Sequence, residues 1–188
     1  VGEPDFDTPW HIRDEGIYSL EKGRTFYTSN SGLMELRIEI CNYLKRKTGL
    51  EYDPKNEVII TVGGSEAIDI GLRAMINPGD EVLIPQPSYV SYEPCAILAG
   101  AKPVIIELKN ENEFRLTPEE LLAAITPETK ILVMPYPNNP TGAVMGRQEL
   151  EKIAKICVEK DIFVMSDEIY SELTYGSDHV SIASLPGM

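Results

Sequence analysis

Short apolar runs alternate with stretches of helical period through most of this chain. Leu36, Ile40, Tyr43 and Leu44 recur on one helical face, and Gly49 supplies a stop, which predicts a helix beginning near Leu33. Glu57 to Val62 is a β-branched run and reads as a strand. Gly63-Gly64 then turns the chain into a helix carrying Ile68, Leu72 and Met75, which ends at Asn77-Pro78-Gly79-Asp80. Further strands are predicted at Glu81 to Ile84, Lys102 to Leu108, Lys130 to Met134 and Ile162 to Met165. Between them fall helices at about Val90 to Leu98, at Pro118 to Ile125 behind a Thr117 cap, and near Arg147 to Lys160. Residues 1–31 show no sustained period and read as an extended arm with turns.

Strands that alternate with helices imply βαβ units and a parallel sheet. The strands are almost wholly apolar, as expected when helices cover both sheet faces. The expected fold class is therefore α/β, a three-layer αβα sandwich with a mostly parallel sheet. With 188 residues the chain is long enough for one domain with a sizeable core, and 43% hydrophobic residues point to a globular fold. The formal charge of -13 argues against binding a phosphate backbone, so no nucleic-acid partner is expected. It is what a solvated acidic surface gives. No apolar run approaches the roughly 20 residues of a membrane span, and no signal peptide is visible, so no membrane partner is expected. Cys41, Cys95 and Cys157 are far apart and form no C-x-x-C motif, which suggests free thiols in a reducing cytoplasm. The chain begins Val1-Gly2-Glu3 without an initiator Met, and a preceding segment, with any targeting signal it carries, is left open.

Candidate chemistry collects at predicted strand ends, where open α/β sheets build their sites. Gly63-Gly64-Ser65-Glu66-Ala67 is a strand-to-helix turn. Its glycines and the helix N-terminus suit an anion, although the same residues also make a plain tight turn with Ser65 as N-cap. The stretch is neither G-x-G-x-x-G nor a Walker loop. Tyr89 follows Pro85-Gln86-Pro87-Ser88 and could stack on a flat ring or simply pack at a helix start. Tyr136-Pro137-Asn138-Asn139-Pro140-Thr141-Gly142 follows one strand and Ser166-Asp167-Glu168-Ile169-Tyr170 follows the next. Asn139 and Asp167 are equally natural as turn or cap residues, and Tyr170 as a core residue. Taken in order, however, they supply a partner for each polar handle of a phosphorylated pyridine ring. A carboxylate can keep the ring nitrogen protonated, and Asn and Tyr can hydrogen-bond a ring oxygen, as pyridoxal phosphate requires.

These residues resemble the class I and II aminotransferases, the aspartate aminotransferase-like branch of fold-type I pyridoxal phosphate enzymes. The resemblance covers essentially the whole chain. It rests most specifically on Asn139-Pro140-Thr141-Gly142 and Ser166-Asp167-Glu168-Ile169-Tyr170. Tyr27 with Gly32, Leu36 and Arg37 is similar to the family's Y-x4-G-x3-L-R segment, and Gly2-Glu3-Pro4-Asp5-Phe6 to its substrate-side entry motif. The resemblance implies that Gly64, Ser65 and Glu66 form a phosphate cup through backbone and hydroxyl donors. It implies that Tyr89 stacks on the ring, where many relatives carry Trp. Asn139 and Tyr170 would bond the phenolic oxygen, and Asp167 would pair with the ring nitrogen, its carboxylate kept charged by that contact. Tyr27 would reach the cofactor phosphate of a neighbouring subunit, implying a homodimer, and the backbone around Gly2 would touch substrate. The implied reaction exchanges an amino group between an amino acid and a 2-oxo acid.

The same resemblance places a Schiff-base lysine and a substrate-binding arginine downstream of the Asp-x-x-Tyr motif. None of the ten lysines here matches that motif. The chain is thus expected to be a truncated piece, inactive alone, with residues 1–31 an entry arm and 32–188 an incomplete cofactor-binding large domain. In the family's sheet, later strands lie between the first strand and the middle. The Glu57 to Val62 strand is therefore expected to expose edges, and the isolated chain to be oligomeric, rearranged or marginally stable. The motifs leave two alternatives open: a β-lyase cleaving C–S bonds on the same scaffold, and a non-catalytic fragment.

Overall fold

The computed structural model describes residues 5–176 and 178–188. Its helices are α1 (Trp10–Glu21), α2 (Met34–Thr48), α3 (Gly64–Met75), α4 (Tyr92–Leu98), α5 (Pro118–Ala124) and α6 (Arg147–Lys160). Its strands are β1 (Glu81–Gln86), β2 (Lys102–Glu107), β3 (Thr129–Met134) and β4 (Phe163–Ser166). They form one sheet in the order β2-β1-β3-β4, every pair parallel.

Alternation along the central strands sorts their side chains into two cores. Val82 and Ile84 of β1 and Ile131 and Val133 of β3 pack with Ile68 and Leu72 of α3 and Tyr92 and Ala96 of α4. Leu83, Leu132 and Met134 face the other way, against Leu121 of α5 and Leu150, Ile153 and Cys157 of α6. The three-layer αβα sandwich expected from the apolar strands is the observed architecture. The cores take its two central strands from both sides, so β1 and β3 are buried almost throughout.

Local signals account for several boundaries. Thr117 Oγ1 accepts the Glu120 N–H at 3.2 Å while Glu120 Oε2 accepts the Thr117 N–H at 3.0 Å, a reciprocal cap with Pro118 in the first turn of α5. Gly49, at φ 77°, ends α2 in the left-handed conformation.

Three expectations are corrected. Residues 10–21 form α1 rather than extended arm, and none of its residues is buried. On α2 the buried positions are Arg37 and Cys41; Leu36 is exposed, and Ile40, Tyr43 and Leu44 are only partly covered. The Glu57 to Val62 run is not a strand, because no sheet strand lies beside it among the described residues. Its backbone is held by residues 31–32 instead. Ile60 N–H donates to the Ser31 carbonyl at 3.1 Å, and Gly32 lies so near that a Cβ there would sit 2.6 Å from Ile60 Cβ. This close approach, together with φ 90°, explains the glycine of the Y-x4-G segment.

Candidate active site

The carboxyl ends of β1, β3 and β4 point to one side of the sheet, where α3 also begins. A cavity of about 210 Å³ opens there, lined by residues from each of these segments. Gly64 and Ser65 come from the first turn of α3, Tyr89 and Tyr92 from the connection after β1, Pro135, Pro137 and Asn139 from the loop after β3, and Asp167 and Tyr170 from the loop after β4. The volume is below the ~300–1,000 Å³ of drug-sized pockets and suits a small molecule.

At one end of the cavity stands the α3 N-terminus. Gly63 adopts φ 86° before it and offers no side-chain cap, so the first-turn N–H groups remain available, as at helix N-termini that bind anions. A Cβ on Gly63 or Gly64 would meet nothing within 4 Å, so the glycines leave open space at this turn. Ser65 Oγ and Tyr89 Oη lie 3.0 Å apart. That contact with Ser65 is the main reason the Tyr89 phenol is held below its ordinary range.

Asp167 lines the same cavity. Its N–H donates to the Met134 carbonyl at 3.0 Å, extending the β3–β4 ladder by one rung. Its Oδ2 accepts the Tyr92 hydroxyl at 2.7 Å and its Oδ1 accepts the Ile169 N–H at 3.2 Å. Among the described residues, no Lys, Arg or His lies within ion-pair distance of this carboxylate. Burial, and then the bond to Asp167, push the Tyr92 phenol far above its usual range, so it stays a neutral donor.

The neighbouring acid faces elsewhere. Glu168 Oε1 accepts the hydroxyls of Ser166 and Ser181, each at 2.8 Å, and Oε2 lies 3.0 Å from His179 Nε2. Burial raises the Glu168 carboxyl, but contacts with His179, Ser181 and Ser166 outweigh it and hold the group below the ordinary range. Adjacent acids therefore divide the work: Glu168 fastens the loop and leaves Asp167 at the cavity. Asn138 is likewise buried, its Oδ1 accepting both the N–H and the hydroxyl of Thr141 at 3.2 and 2.9 Å, so the turn is built on Asn138 while Asn139 reaches the cavity.

Six of the sequence-predicted residues, Gly64, Ser65, Tyr89, Asn139, Asp167 and Tyr170, thus meet at one cavity. Glu66 does not line it; its carboxylate turns back to accept the Val62 N–H. Tyr27 is fully exposed and lies outside it. Gly2 falls outside the described residues. Tyr92 also lines the cavity but belongs to none of the motifs, and the partner of its hydroxyl, Asp167, lies 75 positions along the chain.

The donor set fits pyridoxal phosphate: helix N–H groups and a hydroxyl for a dianion, an aromatic ring for stacking, and a carboxylate without a protein cation for a protonated ring nitrogen. Among the described residues, no lysine lines the cavity. Among the described residues, no group of three or more His, Cys, Asp or Glu is placed to hold a metal, and no helix is long and apolar enough to cross a membrane.

The family model described as aminotransferase class I and II matches residues 1–187. The aromatic-amino-acid aminotransferase 2 of Thermococcus litoralis is 47% identical over 189 residues, covering 100% of this chain and 49% of that protein. The aspartate aminotransferase of Pyrococcus abyssi is 48% identical over 189 residues, again covering 100% of this chain and 49% of the relative. Among solved structures, the aromatic aminotransferase from Pyrococcus horikoshii superposes with a TM-score of 0.98 at 48% identity, covering 100% of this chain and 50% of that one. The Thermus thermophilus aspartate aminotransferase with maleate gives 0.95 at 41% identity, covering 98% and 48%. The chain therefore spans about half the length of the relatives it matches.

Proposed function

Because this chain belongs to the class I and II aminotransferases, we propose that it supplies the cofactor-holding part of a pyridoxal phosphate-dependent transaminase, which exchanges an amino group between an amino acid and a 2-oxo acid. The observation that carries this reading is Asp167: a carboxylate with no cation beside it among the described residues, in a cavity that a helix N-terminus also lines. A ligand that is anionic at one end and cationic at the other satisfies both.

Bound there, pyridoxal phosphate supplies the electron sink for amino-group exchange. The chain's own residues hold and orient. N–H groups at the start of α3, with the Ser65 hydroxyl, take the phosphate. The Tyr89 ring would stack on the pyridine, its hydroxyl steadied by Ser65. Asn139 and Tyr170 reach the phenolic oxygen, and Asp167 holds the proton on the ring nitrogen. Tyr27, projecting from the chain, is suited to reach the cofactor phosphate of a second subunit in a homodimer. The backbone around Gly2 would contact the amino-acid or 2-oxo-acid substrate. The three cysteines are free thiols, as in a reducing compartment, and a cytoplasmic setting is part of this reading. No observation favours the β-lyase alternative.

The test is a pyridoxal phosphate titration of the chain beside Asp167→Asn, followed by borohydride reduction and peptide mapping. Saturable binding is expected, weakened about tenfold or more in the variant, as for loss of a charge-assisted hydrogen bond. No specific lysine adduct is expected within these residues. In the whole protein, an amino-acid donor should convert the bound cofactor to its amine form and a 2-oxo acid should reverse the change. Absence of that half-reaction in protein that binds the cofactor would overturn transamination.

A further inference from the structure

We propose that Tyr92 is a positioning residue that fixes the Asp167 carboxylate toward the ring nitrogen of the cofactor. This rests on the cofactor reading above and adds a residue that lies outside both the Asn-Pro-Thr-Gly and the Asp-x-x-Tyr motifs. Tyr92 opens α4 and is 2% exposed. Its hydroxyl crosses from the helical layer to the β4 loop, 75 positions away, to reach Asp167 Oδ2 at 2.7 Å. With Oδ1 occupied by the Ile169 N–H, both carboxylate oxygens are tied and the plane of the group is set.

The tyrosine is itself held. Its ring meets that of Tyr89 edge to face, with centroids 5.7 Å apart and planes at 82°. Tyr89 in turn contacts Ser65 at the phosphate end. Ser65, Tyr89, Tyr92 and Asp167 are thus linked by successive contacts along the cavity wall. A buried phenol is a suitable support for such a carboxylate, because it donates one directed hydrogen bond while adding no charge. A lysine or arginine in its place would neutralise Asp167 and compete with the protonated ring.

The experiment compares the unsubstituted whole protein, Tyr92→Phe, Asp167→Asn and the double variant. Each is titrated with pyridoxal phosphate and with its analogue bearing carbon in place of the ring nitrogen. Tyr92→Phe should weaken pyridoxal phosphate binding about tenfold, the scale of a hydrogen bond to a charged group, and change analogue binding by less than about twofold. In the Asp167→Asn background the same substitution should have almost no further effect, since Tyr92 acts through Asp167. The absorption of bound pyridoxal phosphate should also change at lower pH in Tyr92→Phe, as the ring nitrogen loses its proton more readily. Equal weakening for both ligands, persisting beside Asp167→Asn, would show a general packing defect and overturn the proposal. So would unchanged binding with an unchanged pH midpoint. Failure of the unsubstituted protein to bind pyridoxal phosphate would instead strike the cofactor reading, and this inference with it.

Discussion

Glu81 shows how a single side chain can tie together the sheet end remote from the site. It lies buried at the start of β1, where Oε1 accepts Lys102 Nζ at 2.7 Å and Oε2 accepts the Thr126 hydroxyl at 2.6 Å. The Lys102 contact first, and Thr126 second, hold the Glu81 carboxyl below its ordinary range; the same contact raises Lys102. A carboxyl depressed by folding contributes stability above its unfolded pKa and loses it as pH falls through the folded one. A raised lysine contributes below its unfolded pKa and loses its share as pH rises through the folded value. The pair therefore supports the fold through neutral pH and weakens in acid. Lys102 is 71% exposed, so solvent screens much of the attraction. Glu81→Gln should cost about 1 kcal/mol at neutral pH, some 2–4 °C in melting temperature for a chain of this size, and should flatten the acid limb of stability against pH. Thermal melts across that range check both. An unchanged acid limb would mean other carboxylates control it.

The residues that line the cavity were legible where a residue type sat at a strand end and its motif was specific. Asp167, Asn139 and Tyr170 are of this kind. For Glu66 the turn predicts where the backbone lies and not where the side chain goes: its carboxylate closes back on the Val62 N–H, which leaves its backbone at the first turn of α3. Tyr92 escaped notice because its partner lies across the fold, a contact that no local pattern reports.

Helices and strands divide by whether their signal was local. For α5 the signal was complete in T-P-E-E, and the structure shows both halves of the cap. Thr117→Ala should cost about 1 kcal/mol, and Thr117→Ser should recover most of it, because serine keeps the acceptor oxygen. Chemical denaturation of the two variants measures this. Equal loss in both would show that threonine packing, not the cap, holds the turn. Helix α1 gave no apolar stripe: Trp10, Ile12, Ile17, Tyr18 and Leu20 point around the whole circumference, with Gly16 in the middle. Such a helix cannot be read from period. The Glu57 to Val62 run failed in the opposite way, having strand composition without a strand beside it. Strand pattern states how a segment would fit a sheet, and pairing alone makes it one.

At the scale of the whole molecule, the surface is too large for a compact monomer. The chain exposes 12351 Å², whereas a folded monomer of 20.9 kDa exposes about 9,000 Å². Part of the difference is apolar: Trp10, Leu20, Phe26, Tyr27, Val62, Val90, Ile169, Leu173 and Tyr175 are all exposed. Residues of this kind occur singly on any surface, but so many large ones on α1, on the 57–62 segment and around the cavity residues suit an interface better than open water. The net charge of -13 opposes indiscriminate collapse, since like-charged chains repel. The isolated chain should therefore associate into small oligomers, and more strongly at high salt, where repulsion is screened over a few ångströms while apolar contact is not. Sedimentation velocity across a concentration series, at low and high ionic strength, measures this directly. Tyr27→Glu with Val62→Lys should shift the distribution toward monomer by placing charge within the exposed apolar surface. A single monomeric species at every concentration and salt, with a cooperative melt, would show that these side chains are tolerated in water.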